Sequence, residues 1–247
     1  MHTPVFFISD IHLMPNCSPA DMERQSQLLQ FLHYVESTGG TLFINGDLFD
    51  FYFEYNDVIP KMYFPLYNSL FNLKTSGVEV HYLVGNHDYW IKDFITKTLM
   101  TKAYLEDVTL EINHKKFYIT HGDGYLSWDR GYRILKAFIR NPLFIWFYRW
   151  IHPRIGYAFA HWVSKKGEHY EHPEEYNQKI EDEMKIHAQA KINSGYDYFI
   201  TGHYHQAREI PVNGGKMLIL GDWLNYFSYG YFDGKDMRLK FWGKDEK

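Results

Sequence analysis

The feature that most constrains this chain is a recurrence of short apolar runs, each ending in glycine, carboxylate or imidazole. Val5–Ile8 leads into Ser9-Asp10-Ile11-His12, Thr41–Asn45 into Gly46-Asp47, and Val78–Val84 into Gly85-Asn86-His87-Asp88. Later, Lys115–Thr120 leads into His121-Gly122-Asp123, and Tyr198–Thr201 into Gly202-His203-Tyr204-His205. Apolar runs of this length, bounded by turn residues, read as buried strands. Helical stretches separate the first three. Ser18 caps the first helix, Pro19 suits its opening turn, and Asp21 favours its positive end. Leu28, Leu29, Phe31, Leu32 and Val35 then fall at helical spacing, and Gly39-Gly40 stops the helix. A second helical stretch runs to about Ser76. The resulting β-α-β-α-β order implies largely parallel strands with their loops gathered at the carboxyl ends.

In such a sheet those ends share one rim, where ligands bind. The five segments therefore deliver carboxylates, imidazoles and one amide oxygen to a common place. That mixture suits borderline-hard divalent cations such as Mn²⁺, Fe²⁺ or Zn²⁺ rather than a soft-metal site. Alternation in Asp10-Ile11-His12 and His203-Tyr204-His205 sends both candidate ligands of each pair to the same side of an extended segment. One such segment alone is more simply a polar turn. Five of them, all at strand ends, are not explained by turn chemistry.

Beyond residue 100 the pattern changes. Val108–Ile112 and Lys115–Thr120 form a hairpin through Asn113-His114, Glu174–Ile192 reads as a helix, and a second hairpin turns at Asn213-Gly214-Gly215. Strands then alternate up to Trp242. With 247 residues, 45% of them hydrophobic, the chain is expected to be a single domain over residues 1–247, with one segment that does not resemble a layer of the sandwich. The net charge of −4 argues against a protein that coats nucleic acid by charge. A lone cysteine, Cys17, excludes an internal disulfide and a thiolate cluster and points to a reducing compartment. The N-terminus lacks the basic flank and long apolar core of a secretion signal. No run approaches the roughly 18 apolar residues of a spanning helix, so a soluble or membrane-surface protein is expected.

The five segments resemble the calcineurin-like metallophosphoesterase signature D-x-H … G-D … G-N-H-D/E … H-G-D … G-H-x-H, matched here without gap or substitution. The resemblance implies an α/β fold, a four-layer α-β-β-α sandwich, with two divalent metals bridged by one carboxylate. It assigns Asp10, His12, Asp47 and His205 to one metal, and Asp47, Asn86, His121 and His203 to the other. Mn²⁺ is the expected ion, with Fe²⁺ or Zn²⁺ as alternatives. Cations about 3.5–4 Å apart that share Asp47 would absorb phosphoryl charge and acidify the attacking water, so no separate general base is needed. His87 diverges from its neighbour Asn86. In the superfamily such a His faces the substrate, stabilising the phosphoryl group or protonating the leaving oxygen. Asp50 stands where a carboxylate would orient that imidazole, and serves equally well as a helix-start residue.

The odd segment narrows the choice. Arg130, Arg133, Lys136, Arg140, Arg149, Arg154, Lys165 and Lys166 lie on or beside it, and no acidic residue occurs between Asp129 and Glu168. Aromatics are dense there, among them Phe144, Trp146, Phe147, Trp150 and Trp162. Amphipathic helices of this composition lie in membrane interfaces. An ordinary helical cap packed on the core fits the pattern nearly as well. A nucleic-acid patch fits less well, because the aromatics keep apolar company. Here the chain is most similar to the UDP-2,3-diacylglucosamine hydrolase family of the lipid A pathway, which releases UMP and leaves an acylated glucosamine 1-phosphate. That family carries an apolar helical lid after the H-G-D motif, expected here over residues 130–169. The resemblance implies substrate contacts from Asn86, Asp129, Tyr132, Ser164 and Lys165. It also implies a UDP-linked acylated sugar as substrate, a cytoplasmic enzyme peripheral on the inner face of the inner membrane, and no nucleic-acid partner. Well-known members carry Arg where His87 stands; Arg only clamps charge, whereas His also donates a proton. A general phosphodiesterase or nuclease on the same fold is the alternative. A non-enzymatic scaffold is disfavoured, since every ligand type is retained.

Overall fold

The apolar run at the N-terminus becomes the buried centre of the molecule because it is covered on both faces. In the computed structural model, residues 1–14, 18–166 and 173–244 are described, apart from the side chains of residues 161–166. Strand β1 (Val5–Ile8), helix α1 (Pro19–Thr38), β2 (Thr41–Asn45), α2 (Phe64–Thr75) and β3 (Glu79–Leu83) alternate as expected. They are followed by β4 (Lys102–Tyr104), β5 (Val108–Ile112) and β6 (Lys115–Thr120). Three helices come next, α3 (Arg130–Ile139), α4 (Pro142–Arg149) and α5 (Pro153–Lys166), then α6 (Glu174–Asn193). The chain closes with β7 (Tyr198–Thr201), β8 (Ala207–Val212), β9 (Gly215–Leu220), β10 (Ser228–Phe232) and β11 (Met237–Phe241).

Two mixed sheets result, ordered β11-β10-β1-β2-β3-β4 and β5-β6-β7-β9-β8. Alternation along each strand decides which layer each side chain joins. Phe6, Ile8, Leu42, Ile44, Val80 and Tyr82 pack outward against Leu28, Phe31 and Leu32 of α1 and Leu66 and Leu70 of α2. Val5, Phe7 and Phe43 point the other way, against Phe117, Ile119, Ile200 and Leu218 of the second sheet. The outer face of that sheet, through Phe199, Met217 and Ile219, is covered by Ile180, Met184 and Ala188 of α6. The layers are therefore α-β-β-α. Each fully buried Leu, Ile or Phe contributes roughly 1.5–3 kcal/mol relative to exposure.

Local chemistry explains the boundaries. Ser18 and Asp21 form a reciprocal capping box at the start of α1, with the Asp21 amide donating to Ser18 Oγ at 3.1 Å and the Ser18 amide to Asp21 Oδ2 at 3.2 Å. Pro211 is tolerated because β8 is an edge strand. Strand β4 and the π-helical turn Phe94–Leu99 were not visible as elements in the sequence, since three and six residues are too few to establish a period.

Candidate metal centre

Strands β1, β2 and β3 run parallel, as do β6 and β7, so all five polar segments emerge at carboxyl ends. Hydrogen bonds between and within the two sheets fix that rim. Asn45 Nδ2 donates to the Thr120 carbonyl at 2.9 Å, and Ser9 Oγ donates to the Asn45 carbonyl at 2.8 Å. The Gly202 amide donates to the His121 carbonyl at 2.9 Å.

On this platform the side chains converge. His12 Nε2 lies 3.8 Å from Asp10 Oδ1 and 3.7 Å from Asp47 Oδ2. His121 Nε2 lies 3.2 Å from the same Asp47 oxygen and 3.1 Å from Asn86 Oδ1. His205 Nε2 approaches Asp10 Oδ1 at 3.9 Å. Three overlapping groups have candidate ligand atoms within 4.8 Å of one another: Asp10, His12 and His205; Asp47, His121 and His203; and His12, Asp47 and His87. The structure thus brings together all seven residues read as metal ligands and places the His87 ring beside them, 4.7 Å from that of His12. Asp10, His12, Asp47 and His121 are buried.

The backbone is bent to achieve this. Asp10, His12, Asp47, His203 and His205 all adopt φ between 46° and 70°, a left-handed region that non-glycine residues rarely occupy. Such strain persists only where the surroundings enforce it, and it collects at functional sites. Two glycines give the needed clearance. A Cβ on Gly85 would collide with the Asp47 carboxylate and main chain, and one on Gly202 with Ser9 Oγ and Asp10 Oδ2.

The electrostatics follow from burying opposite charges together. Burial pushes the Asp10 carboxyl up, but the adjacent His12 ring and the charges of His205 and His121 outweigh it and bring it to about 2. Burial lowers His121, yet the Asp47 contact and the charges of Asp10 and Asp123 raise it to about 10. His203 falls to about 4, through burial and the neighbouring His121. Fixed anions thus face imidazoles whose protons a cation would displace. Asp10 Oδ1 is buried and accepts no hydrogen bond. The carboxylate, imidazole and amide donors fit divalent cations of the Mn²⁺, Fe²⁺ or Zn²⁺ kind.

Surrounding groups orient these ligands. His121 Nδ1 pairs with the Asn45 carbonyl at 2.8 Å, which directs Nε2 into the cluster. His205 Nδ1 faces Asp222 Oδ2 at 3.2 Å. Asp88 accepts from the amides of Leu48 and Gly85, each at 2.8 Å, and from the Tyr82 hydroxyl, locking two site loops to one another. The sequence reading did not single out Asp222 or assign a role to Asp88. Gly221-Asp222, a further Gly-Asp step directly after the parallel strand β9, was the available signal.

The remaining expected site residues divide. His87 Nδ1 meets the backbone carbonyl of Asp50, so the orienting contact seen here comes from the Asp50 main chain. Asn86 sits in the cluster. Asp129 caps α3, its Oδ1 accepting from the Tyr132 amide at 3.3 Å. The Tyr132 hydroxyl donates to Asp123 Oδ2 at 3.0 Å. The side chains of Ser164, Lys165 and Trp162 lie outside the described residues, as do residues 167–169 at the end of the expected lid.

An α-β-β-α sandwich that gathers carboxylates and imidazoles on its strand-end rim defines a phosphohydrolase of the metal-dependent class. The chain belongs to the calcineurin-like phosphoesterase family, whose pattern matches residues 3–207. It is 31% identical to the UDP-2,3-diacylglucosamine hydrolase of Porphyromonas gingivalis (strain ATCC BAA-308 / W83), over 97% of this chain and 98% of that protein. To the hydrolase of the same name from Yersinia pseudotuberculosis serotype O:1b (strain IP 31758) it is 26% identical, over 88% of this chain and 90% of the relative. Among solved structures, an archaeal phosphodiesterase aligns at 15% identity with a TM-score of 0.48, over 97% of this chain and 99% of the other.

Proposed function

We propose that this phosphohydrolase cleaves the diphosphate of UDP-2,3-diacylglucosamine to UMP and 2,3-diacylglucosamine 1-phosphate. The observation that carries the reading is the apolar face that α3–α5 present to solvent on a body joined to the metal centre. Ile134 is 74% exposed, Leu143 70%, Phe147 64% and Trp150 76%. Exposed apolar area on this scale marks a lipid or partner surface. The names of the relatives supply the headgroup.

In this reading Asp10, His12, Asp47 and His205 hold one cation, and Asp47, Asn86, His121 and His203 hold the second. Asp47 Oδ2 lies between His12 and His121, as a shared ligand must. Two Mn²⁺ ions supply, when bound, charge neutralisation at the phosphoryl oxygens and an acidified water. With Nδ1 turned to the Asp50 carbonyl, His87 presents Nε2 to the substrate. Residues 130–169 form a lid within a single domain spanning 1–247, and acyl chains lie against its apolar side chains. Arg and Lys on the same helices meet anionic lipid at the cytoplasmic face of the inner membrane. No helix among the described residues is long and apolar enough to cross a membrane. The test is incubation of the Mn²⁺-loaded protein with UDP-2,3-diacylglucosamine and identification of the products. Hydrolysis of a small phosphodiester without release of UMP from the lipid would replace this reading with a general phosphodiesterase.

A further inference from the structure

A cavity of about 320 Å³ opens beside the metal centre, between the β4–β5 connection and helix α3. His121 and Asp123 line it together with basic Lys136 and Arg140 and acidic Glu106 and Asp107; three aliphatic side chains complete the lining. Its volume falls within the range of about 300–1,000 Å³ typical of small-molecule sites. Its walls are too charged to accept an acyl chain.

The basic part of the lining is built and held in place. Lys136 Nζ lies 2.8 Å from Asp123 Oδ2 and donates to the Asp123 carbonyl at 2.9 Å. Arg140 Nη2 donates to Asp123 Oδ2 at 3.1 Å and to the Gly85 carbonyl at 3.3 Å, and the guanidinium stacks 4.2 Å above the Tyr89 ring. Two cations share one carboxylate, so this part keeps a net positive charge. Among the described residues both Arg140 hydrogen bonds run through Nη2, which leaves Nη1 and Nε as donors for a ligand. A planar guanidinium held this way suits a phosphate oxygen pair. On the acidic part of the lining, Asp107 already accepts from the Tyr118 hydroxyl at 2.7 Å, while Glu106 is exposed. Carboxylates there accept from hydroxyl and ring N–H groups.

We infer that this cavity is a nucleoside monophosphate site: Arg140 and Lys136 take the phosphate, and Glu106 takes donors of the ribose or pyrimidine. This rests on the reading that the substrate carries a nucleotide on one side of its diphosphate. The cavity then holds the nucleotide half, and the acyl half lies on the apolar helices.

The experiment is calorimetric binding of UMP, uridine and inorganic phosphate to the Mn²⁺-loaded full chain. Wild type is expected to bind UMP at least about tenfold more tightly than inorganic phosphate. Arg140→Met weakens UMP by about tenfold or more, the scale of one lost charge-assisted hydrogen bond. Glu106→Gln, at an exposed position that does not endanger folding, weakens UMP several-fold and leaves phosphate unchanged. UMP bound no better than phosphate, or bound by both variants with wild-type affinity, overturns the assignment. Turnover of the UDP-lipid is measured separately. If the lipid is hydrolysed while UMP binding ignores Arg140 and Glu106, the cavity assignment alone fails. If the lipid is not hydrolysed but UMP binding follows both residues, the cavity stands as a nucleotide site and the lipid reading falls.

Discussion

Asp222→Asn isolates one ligand of the centre without touching the cluster. The Asp222 carboxylate has two separate duties. Oδ1 accepts from the amides of Leu224, Asn225 and Tyr226 at 3.0, 2.7 and 3.2 Å, which holds the turn after β9. Oδ2 faces His205 Nδ1 at 3.2 Å. Asparagine keeps a carbonyl oxygen for the three amides, so its NH₂ group must take the place of Oδ2. An N–H then confronts the His205 Nδ1–H, and the ring relieves the conflict only by moving its proton to Nε2. That atom faces Asp10 Oδ1 at 3.9 Å and cannot ligate a metal while protonated. The lost charge-assisted hydrogen bond is worth about 1.5–3 kcal/mol, or roughly 10- to 150-fold in affinity. Outer partners of metal ligands typically cost about 10–100-fold. A chelator-competition titration with Mn²⁺ should therefore show one site weakened by that factor and the other, on the His121 and His203 side, unchanged. Melting temperature should move little, because the turn survives. Two sites at wild-type affinity, or two sites weakened equally, would refute the reasoning.

Four further outcomes are expected. Asp47→Ala should lose both metals and all activity, and two tightly bound cations per chain by metal analysis would contradict its shared position. His87→Ala should lower turnover by about 10²–10⁴-fold with metal content intact; a smaller defect on a p-nitrophenyl ester identifies protonation, and an equal one identifies phosphate binding. His121 is raised to about 10, so its proton stabilises the metal-free fold fully below pH 6.5 and that contribution is lost as pH rises toward 10. Metal affinity should rise across the same window, with proton release measurable by titration in buffers of different ionisation enthalpy, and a pH-independent affinity would contradict it. Replacing exposed Trp146, Phe147 and Trp150 with Ser should weaken liposome binding and kcat/KM on the lipid while sparing a small diester; equal losses on both substrates would show that the face only supports the fold.

The strands and their order were legible because β1, β2 and β7 are buried on both faces and read as unbroken apolar runs. The convergence of the five segments followed from parallel strand order alone. What the sequence hid depends on three-dimensional approach. Left-handed φ at Asp10, His12, Asp47, His203 and His205 has no local signature, since none is glycine. Asp129 shows a duty the sequence pattern also allowed: directly before a helix an aspartate caps it, and here its side chain accepts from the Tyr132 amide. Asp123 was legible as part of a motif but not as the anchor of Tyr132, Lys136 and Arg140, because those partners lie on a helix whose direction the sequence does not give.

The packing of α3–α5 decides how they can serve the centre. Phe53, Tyr55, Trp90 and Tyr148 form a buried aromatic cluster, with Phe51, Phe144 and Tyr157 against it. Its core-side members come from residues 51–55 and 89–90, the same loops that carry Asp47, Asp50 and His87. Hydrogen bonds reinforce the join: the Tyr157 hydroxyl donates to the Phe53 carbonyl at 2.9 Å, and Trp90 Nε1 to the Ile139 carbonyl at 3.1 Å. Lifting the helices would expose those rings and strip their polar partners, at about 1.5–3 kcal/mol for each large apolar side chain alone. The helices are therefore built as a fixed wall continuous with the catalytic loops. On the proposed reading, the acyl part of the substrate lies along their outer apolar face, and a substitution that loosens the cluster should disturb His87 and Asp47 before it disturbs the sandwich.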